Sequence, residues 1–222
     1  PDRAAHATAV GNFKHNLQMI DFSLTDEQKM LVEMTRSFVE QEMLPHEETL
    51  ERTDTLPPKL AATLKKQAME LGLHACNLPE EVGGGGLDAV SVMLIEKELG
   101  RTSLALAECA HRPLNILAAC EGEQVTQFLE PTIKGEKRDC IAMTEPGAGS
   151  DLRGMKCKAV CDGDEWMISG EKHFISQASV SDYCVLFAAT GEEETSKGFK
   201  KRISAFLVAF DDPGVEVAPG YR

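Results

Sequence analysis

Residues 141–151 read Ile-Ala-Met-Thr-Glu-Pro-Gly-Ala-Gly-Ser-Asp, and this stretch is the most informative part of the 222-residue sequence. Its first three residues are apolar and strand-like, and a turn marked by proline and two glycines follows. Glycine permits positive φ and lets the backbone approach a ligand closely. The hydroxyl groups of Thr144 and Ser150 add hydrogen-bond donors on either side of the turn. The pattern indicates a ligand-binding strand and loop, and the alternative is an ordinary strand-to-loop turn.

On the N-terminal side, from residue 25 to about residue 134, apolar residues recur at helical spacing. We expect Val90 and Leu94 to point inward on one of these helices. Capping residues, prolines and glycines mark the predicted starts and ends of the helices. They are Thr25 with Gln28, Pro45, Pro57, Pro58, Gly72, Asp88 and Gly100. The short turns between the helices are typical of antiparallel neighbours in a bundle.

On the C-terminal side, from about residue 139, short alternating runs predict β-strands. Residues 155–161 and 166–169 flank Asp162-Gly163-Asp164, which is a hairpin signal. Two apolar strands are predicted at 183–189 and 203–210, with a loop from 190 to 202 between them. Helices followed by strands predict an α+β multidomain fold and not a βαβ dinucleotide fold. The expected domains are an N-terminal α-helical bundle at 19–138 and a mainly antiparallel β-domain at 139–222.

The composition of the sequence argues against several classes of binding partner. The net charge of −13 argues against nucleic acid and anionic membranes, because both require a basic surface. No apolar run approaches the roughly 20 residues that a membrane helix needs. The seven cysteines are scattered and odd in number, which is typical of reduced thiols in a cytosol-like compartment. No spacing of cysteine and histidine completes a metal site, so none is predicted.

Residues 78–87, Leu-Pro-Glu-Glu-Val-Gly-Gly-Gly-Gly-Leu, resemble a phosphate-binding loop only superficially. No Gly-Lys-Ser/Thr follows the glycines, and no predicted strand leads into them. The favoured interpretation is a flexible connection between helices that ends at the Asp88 cap. A basic run, Lys197, Lys200, Lys201 and Arg202, has two interpretations as well. It either meets a phosphate group of a ligand or forms a solvated loop tip.

Three segments together resemble the acyl-CoA dehydrogenases, and they occur in the family's order. Residues 141–151 resemble the flavin-contacting strand and loop, and 78–87 resemble the family's Pro-Glu-x-x-Gly-Gly-x-Gly loop. Residues 170–177, Gly-Glu-Lys-His-Phe-Ile-Ser-Gln, resemble the pattern Gly-x-Lys-x-Trp-Ile-Thr/Ser-Asn. Phe174 stands where the family usually has tryptophan, and Gln177 where it has asparagine.

The resemblance implies an FAD site and assigns five residues to it. Met143 and Thr144 would meet the pyrimidine end of the flavin. Ser150 would lie near the flavin pyrophosphate and the thioester substrate. Phe174 would pack against the isoalloxazine, and the Ser176 hydroxyl would lie near the flavin N5. Glu145 is adjacent, but its place in the motif suggests a role in loop structure, so it is not proposed as the base.

The implied reaction is FAD-dependent α,β-dehydrogenation of an acyl-CoA thioester. In the family the catalytic base is a glutamate in a C-terminal helical domain, so no catalytic residue is predicted within this sequence. We therefore expect the chain to be the N-terminal part of a longer enzyme and to be inactive by itself. Residues 1–18 are expected to be a leader or an expression remnant.

The resemblance also implies an electron-transfer flavoprotein as acceptor and a homo-oligomer, either a tetramer or a dimer. It places the enzyme in the cytoplasm, or in the mitochondrial matrix of a eukaryote. Two alternatives stay open at this point. One is an acyl-CoA oxidase or a nitroalkane-oxidase-like flavoenzyme, and the other is a folded fragment without catalytic activity.

Overall fold

A computed structural model describes residues 23–196 and 198–218. Within these residues, helices precede strands. The α-helices are α1 Asp26–Phe38, α2 Glu47–Thr53, α3 Pro58–Glu70, α4 Ala89–Leu99, α5 Leu104–Ala107 and α6 Glu130–Ile133. The β-strands are β1 Asp139–Ala142, β2 Lys158–Asp162, β3 Glu165–Ser169, β4 Tyr183–Thr195 and β5 Gly198–Ala209. The α+β prediction is confirmed, whereas the division into domains at 138 stays a prediction. The predicted leader at 1–18 lies outside the described residues.

The first helix begins at the predicted capping box. The Gln28 amide donates to Thr25 Oγ1 at 3.1 Å, and the Thr25 amide donates to Gln28 Oε1 at 3.2 Å. These two bonds satisfy amide groups that a helix start otherwise leaves unpaired. Helix α1 packs against α4, where Arg36 reaches the buried carboxylate of Glu98 at 2.8 Å. The guanidinium holds the pKa of Glu98 below its usual range.

Two details of the helical region differ from the expectation. Pro45 does not end the helical path, because it lies in a 3₁₀ turn, Leu44–His46, between a π-helical turn and α2. Proline is tolerated there, since the first residues of a new helical segment need no amide donor. Val90 is 54% exposed and not inward-facing. The Asp88 cap sets the phase of α4 so that Ile95 and Leu99 form the buried face.

The strands form one mixed sheet in the order β1-β4-β2-β3, with β5 also paired to β4. The longest ladder, β4 with β5, is antiparallel, and so is the β2–β3 hairpin. That hairpin closes between Asp162 and Glu165, where Gly163 has φ +64°. Positive φ at the turn is what a two-residue hairpin loop requires. Strand β1 pairs with β4 in parallel, and β2 meets β4 in parallel at Lys158.

The predicted loop at 190–202 is wrong, because β4 continues to Thr195 and β5 begins at Gly198. The polar sequence suggested a loop, but opposite charges face each other across the hairpin. Glu192 pairs in register with Lys201, and Glu193 with Lys200, whose ammonium lies 3.8 Å from the Glu193 carboxylate. Such cross-strand charge pairs stabilise antiparallel strands. Lys200 and Lys201 of the basic run therefore have acidic partners within their own hairpin.

The glycine-rich loop at 78–87 connects α3 to α4, as expected, but its backbone is hydrogen-bonded and packed, whereas a flexible connection was expected. The amides of Gly84, Gly85 and Gly86 donate to the carbonyls of Pro79, Ala75 and Leu78 at 2.9–3.0 Å. Amides that already donate to backbone carbonyls are not available to a phosphate group. The structure thus gives no support to a phosphate loop here.

The helical region meets the sheet in a layer of buried side chains. Tyr183, on β4, is fully buried and its hydroxyl lies 2.7 Å from Thr132 Oγ1 on α6. The Phe128 ring packs against Tyr183 with 4.8 Å between ring centroids. Leu117 and Leu129 complete this layer from the helical side. Because a buried phenol needs a partner, the tyrosine fixes the sheet against the helices.

Beside this layer lies the junction cluster, which we define as Glu108, His111, Arg138 and Asp139. His111 is buried, with its Nε2 2.6 Å from Asp139 Oδ1 and its Nδ1 3.6 Å from Glu108 Oε2. The other Asp139 oxygen accepts from the Leu114 amide at 2.9 Å. Burial by itself would lower the pKa of His111, but the hydrogen bonds to Asp139 and Glu108 outweigh burial and raise it.

We expect the free energy of unfolding to be greatest near pH 6.5 within the range in which histidines titrate. The raised pKa of His111 gives stability that is fully present below about pH 6.5 and lost as the pH rises through its folded pKa. Burial lowers the pKa of His74, so its contribution is present above about pH 6.5 and lost as the pH falls. Urea unfolding at a series of pH values measures how the free energy of unfolding changes on each side of about pH 6.5. The proteins compared are the wild type, His111→Gln and His74→Gln. His111→Gln should flatten only the alkaline side, and an unchanged alkaline slope would contradict the assignment.

Candidate functional site

The segments 141–151 and 170–177 meet in space although β2 and β3 separate them in sequence. The His173 amide donates to the Thr144 carbonyl at 2.8 Å. The Lys172 ammonium donates to the Met143 carbonyl at 3.1 Å. The backbone that leaves β1 is therefore held against the backbone that follows β3. These two bonds form the frame of the candidate site.

The buried carboxylate of Glu145 stabilises this frame by accepting hydrogen bonds from three groups. It accepts from the amides of Lys156 at 2.6 Å and Cys157 at 3.0 Å, and from the Lys172 ammonium at 2.9 Å. The Glu145 and Lys172 side chains are only 4% and 8% exposed. Burial alone would raise the pKa of Glu145, but the Lys156 amide and Lys172 outweigh burial and lower it. A base must reach its substrate, and this carboxylate is committed to the loop.

Phe174, one of the predicted flavin residues, is 72% exposed. Its backbone has φ +56°, which is the left-handed region that a bulky residue seldom adopts. The His173 ring stacks on it, with 3.7 Å between centroids and 26° between planes. Exposed aromatic side chains on strained backbone are a common feature of ligand-binding sites.

Ser150 and Ser176 are both exposed. Among residues 23–196 and 198–218, neither hydroxyl makes a hydrogen bond within the protein. Ser176 lies two residues beyond Phe174. Gln177 follows with φ +66°, and its side chain accepts from Arg138 at 3.4 Å. The asparagine of the family pattern is better suited than glutamine to this left-handed backbone.

Not every predicted residue is joined by a direct contact. The structure brings Met143 and Thr144 together with residues 172–173, while no described hydrogen bond links Ser150 or Ser176 to them. A groove of about 670 Å³ lies elsewhere, between Trp166 and residues 200–204, and contains none of the five. The role of the five residues as one flavin site stays a prediction.

Sequence reasoning did not assign roles to Lys172 and His173. Lys172 had a signal, because lysine stands at this position in the family pattern. For His173 nothing in the sequence indicated that its ring stacks on Phe174, because the side chains of neighbouring residues on an extended chain point to opposite sides. Within the described residues, no three His, Cys, Asp or Glu side chains gather as a metal site would require. No helix of the described chain is long and apolar enough to cross a bilayer.

Comparison with known proteins agrees with this arrangement. The model of the acyl-CoA dehydrogenase N-terminal domain matches residues 25–136, and that of the middle domain matches 140–222. A probable acyl-CoA dehydrogenase of Bacillus subtilis is 36% identical over 91% of this chain and 53% of its own length. The bovine mitochondrial short-chain specific acyl-CoA dehydrogenase is 36% identical over 86% of this chain and 46% of its own.

A crystal structure of an acyl-CoA dehydrogenase from Bacillus anthracis, complexed with FAD, superposes with a TM-score of 0.73. It is 31% identical and aligns with 90% of this chain, which corresponds to 34% of the Bacillus anthracis chain. The present chain spans about half the length of the Bacillus subtilis and bovine relatives. Since the two domain models together match nearly the whole sequence, in the order in which helices and strands occur, the chain belongs to the acyl-CoA dehydrogenase family.

Proposed function

We propose that this chain carries the FAD-binding part of an enzyme that dehydrogenates an acyl-CoA thioester between its α and β carbons. The observation that carries the proposal is the bond from the His173 amide to the Thr144 carbonyl. It unites the two segments that resemble the flavin-contacting parts of the family. The FAD complex of the Bacillus anthracis relative supports the choice of cofactor.

The proposed contacts follow the exposed groups of the site. Phe174 offers an apolar ring to the isoalloxazine, and Ser176 offers a hydroxyl near the flavin N5. Met143 and Thr144 contribute backbone and hydroxyl groups at the pyrimidine end, where donors stabilise negative charge. Ser150 lies near the pyrophosphate and the thioester. The residues present fit FAD, because the hydroxyls of Ser150 and Ser176 are exposed and make no hydrogen bond to any residue that the structure describes.

FAD, when bound, supplies the acceptor for the hydride that leaves the β carbon. The residues of this chain bind and orient the flavin ring. Lys172 and Glu145 hold the Met143 carbonyl in place, so they act by position and not by proton transfer. No residue of this chain is proposed as the base that removes the α-proton.

The partners are proposed on the resemblance. An acyl-CoA is the substrate, and an electron-transfer flavoprotein is the electron acceptor. Assembly as a homo-oligomer, either tetramer or dimer, and a location in the cytoplasm or mitochondrial matrix are part of the same proposal. Lys200 and Lys201 face glutamates across the β4–β5 hairpin, so they do not add a coenzyme A contact to it.

The visible absorbance spectrum of the purified protein tests the function. We expect a flavin band that stays with the protein after unbound FAD has been removed. We expect no loss of that band when an acyl-CoA is added without oxygen, because no residue of this chain is proposed as the base. For a form of the protein that includes a base, reduction of an artificial acceptor without hydrogen peroxide would identify a dehydrogenase, whereas peroxide release in air would identify an oxidase. A protein that binds no flavin would contradict the proposal.

Replacement of Phe174 by leucine should weaken FAD binding roughly tenfold, because an aromatic stack contributes about 0.5–1.5 kcal/mol beyond burial. Phe199→Leu is the matched control. Phe199 is 76% exposed, but it lies on the β4–β5 hairpin. Fluorescence titration of FAD against both variants measures the effect. Equal affinities for FAD would mean that Phe174 does not contact the flavin.

A further inference from the structure

His173 carries an inference that goes beyond the proposed function and rests on it. Its ring stacks on Phe174 at 3.7 Å, although the two residues are adjacent in sequence. We propose that His173 is a positioning residue, whose imidazole sets the orientation in which the Phe174 ring meets the flavin.

The backbone explains why the two rings can stack. Side chains of neighbouring residues point to opposite sides wherever the chain is extended. At Phe174 the chain turns into the left-handed region, with φ +56°, and this turn brings the ring back over His173. Left-handed backbone is unfavourable for phenylalanine. The ring stack offsets that cost, because it is formed only in this conformation.

His173 is itself held in place, which a positioning residue must be. Its amide donates to the Thr144 carbonyl at 2.8 Å. The preceding residue, Lys172, is anchored through its ammonium to Met143 and Glu145. The imidazole is therefore attached to the rigid frame of the site, while Phe174 is 72% exposed toward its surroundings. A side chain on a fixed base can orient its neighbour.

The stack of His173 on Phe174 is also relevant to the replacement of the family's tryptophan by phenylalanine at position 174. Phenylalanine presents less flat surface than the tryptophan usual at this place. The His173 imidazole packs against one face of the phenyl ring and so limits its rotation. The pairing of histidine with phenylalanine thus gives a rigid aromatic surface, and the chemical class it would receive is a planar heteroaromatic ring such as isoalloxazine.

Two measurements on the purified protein test the inference. The first is the proton NMR spectrum of the His173 ring without FAD. We expect an upfield shift from the Phe174 ring current that disappears in Phe174→Leu. The second is FAD affinity by fluorescence titration. We expect His173→Ala to weaken binding about fivefold, with His173→Phe retaining most of the affinity because it keeps a ring in the stack. Glu165→Ala, an exposed residue of β3 outside both segments, is the control and should bind as the wild type does.

The outcomes separate the two proposals. Failure of the wild type to bind FAD would overturn the proposed function and, with it, this assignment. FAD binding by the wild type with equal affinity in His173→Ala would overturn the assignment of His173 alone. Equal weakening in His173→Ala and His173→Phe would also overturn it, because stacking would then not be the cause. An unshifted His173 ring would show that the stack does not form in solution.

Discussion

Substitution of Gly84 by alanine should lower the free energy of unfolding by about 3 kcal/mol or more. A Cβ at this position would lie 2.2 Å from the Leu78 carbonyl oxygen and 2.5 Å from the Leu78 carbonyl carbon. Both are backbone atoms, so no side-chain rotation relieves the overlap. The loop must shift, which disturbs the bonds of Gly84 to Pro79 and of Gly86 to Leu78. Leu78 is fully buried, so the strain reaches the core beneath the sheet.

Urea denaturation of Gly84→Ala against Gly147→Ala makes the test specific. A Cβ at Gly147 meets nothing within 4 Å, so that variant should change the free energy of unfolding by less than about 0.5 kcal/mol. Similar stabilities for the two variants would show that the loop at 78–87 is not packed as described.

Substitution of Lys172 by methionine should destabilise the protein by about 3–5 kcal/mol, because it leaves the buried Glu145 carboxylate without its cation. The Met143 carbonyl loses its donor in the same variant. The frame between the two flavin segments then rests on the bond from His173 to Thr144. FAD affinity should therefore fall along with stability.

The control is Lys134→Met, which removes an exposed ion pair with Glu130 on α6. Exposed pairs contribute about 0.2–1 kcal/mol, so this variant should remain close to the wild type. Thermal unfolding and FAD titration of both variants give the comparison. A Lys172→Met protein as stable as Lys134→Met would mean that the Glu145 pair does not hold the site.

Local signals in the sequence were sufficient for much of the fold. The capping box at Thr25, the Asp88 cap and the hairpin around Gly163 depend on interactions within a few residues, and all three occur in the structure. The change from helices to strands followed from hydrophobic periodicity. The family assignment followed from three segments with specific residues at fixed spacing, and the domain models match it.

Features that depend on distant partners were not predictable in this way. The acidic run of β4 and the basic run of β5 each suggest a loop when considered alone. They form strands because they face each other. Likewise, Glu145 next to a proline-glycine turn gives no sign that Lys172 neutralises it from another segment. The stack of His173 on Phe174 depends on one left-handed residue that the pattern does not reveal.

The central claim is that the segments 141–151 and 170–177 together form one surface that binds FAD. A crystal structure of the protein with FAD tests it most directly. We expect the isoalloxazine against Phe174, with the Ser176 hydroxyl near the flavin N5 and the Thr144 backbone at the pyrimidine end. A flavin ring bound away from Phe174, or Thr144 and Ser176 on opposite sides of the sheet, would contradict the account.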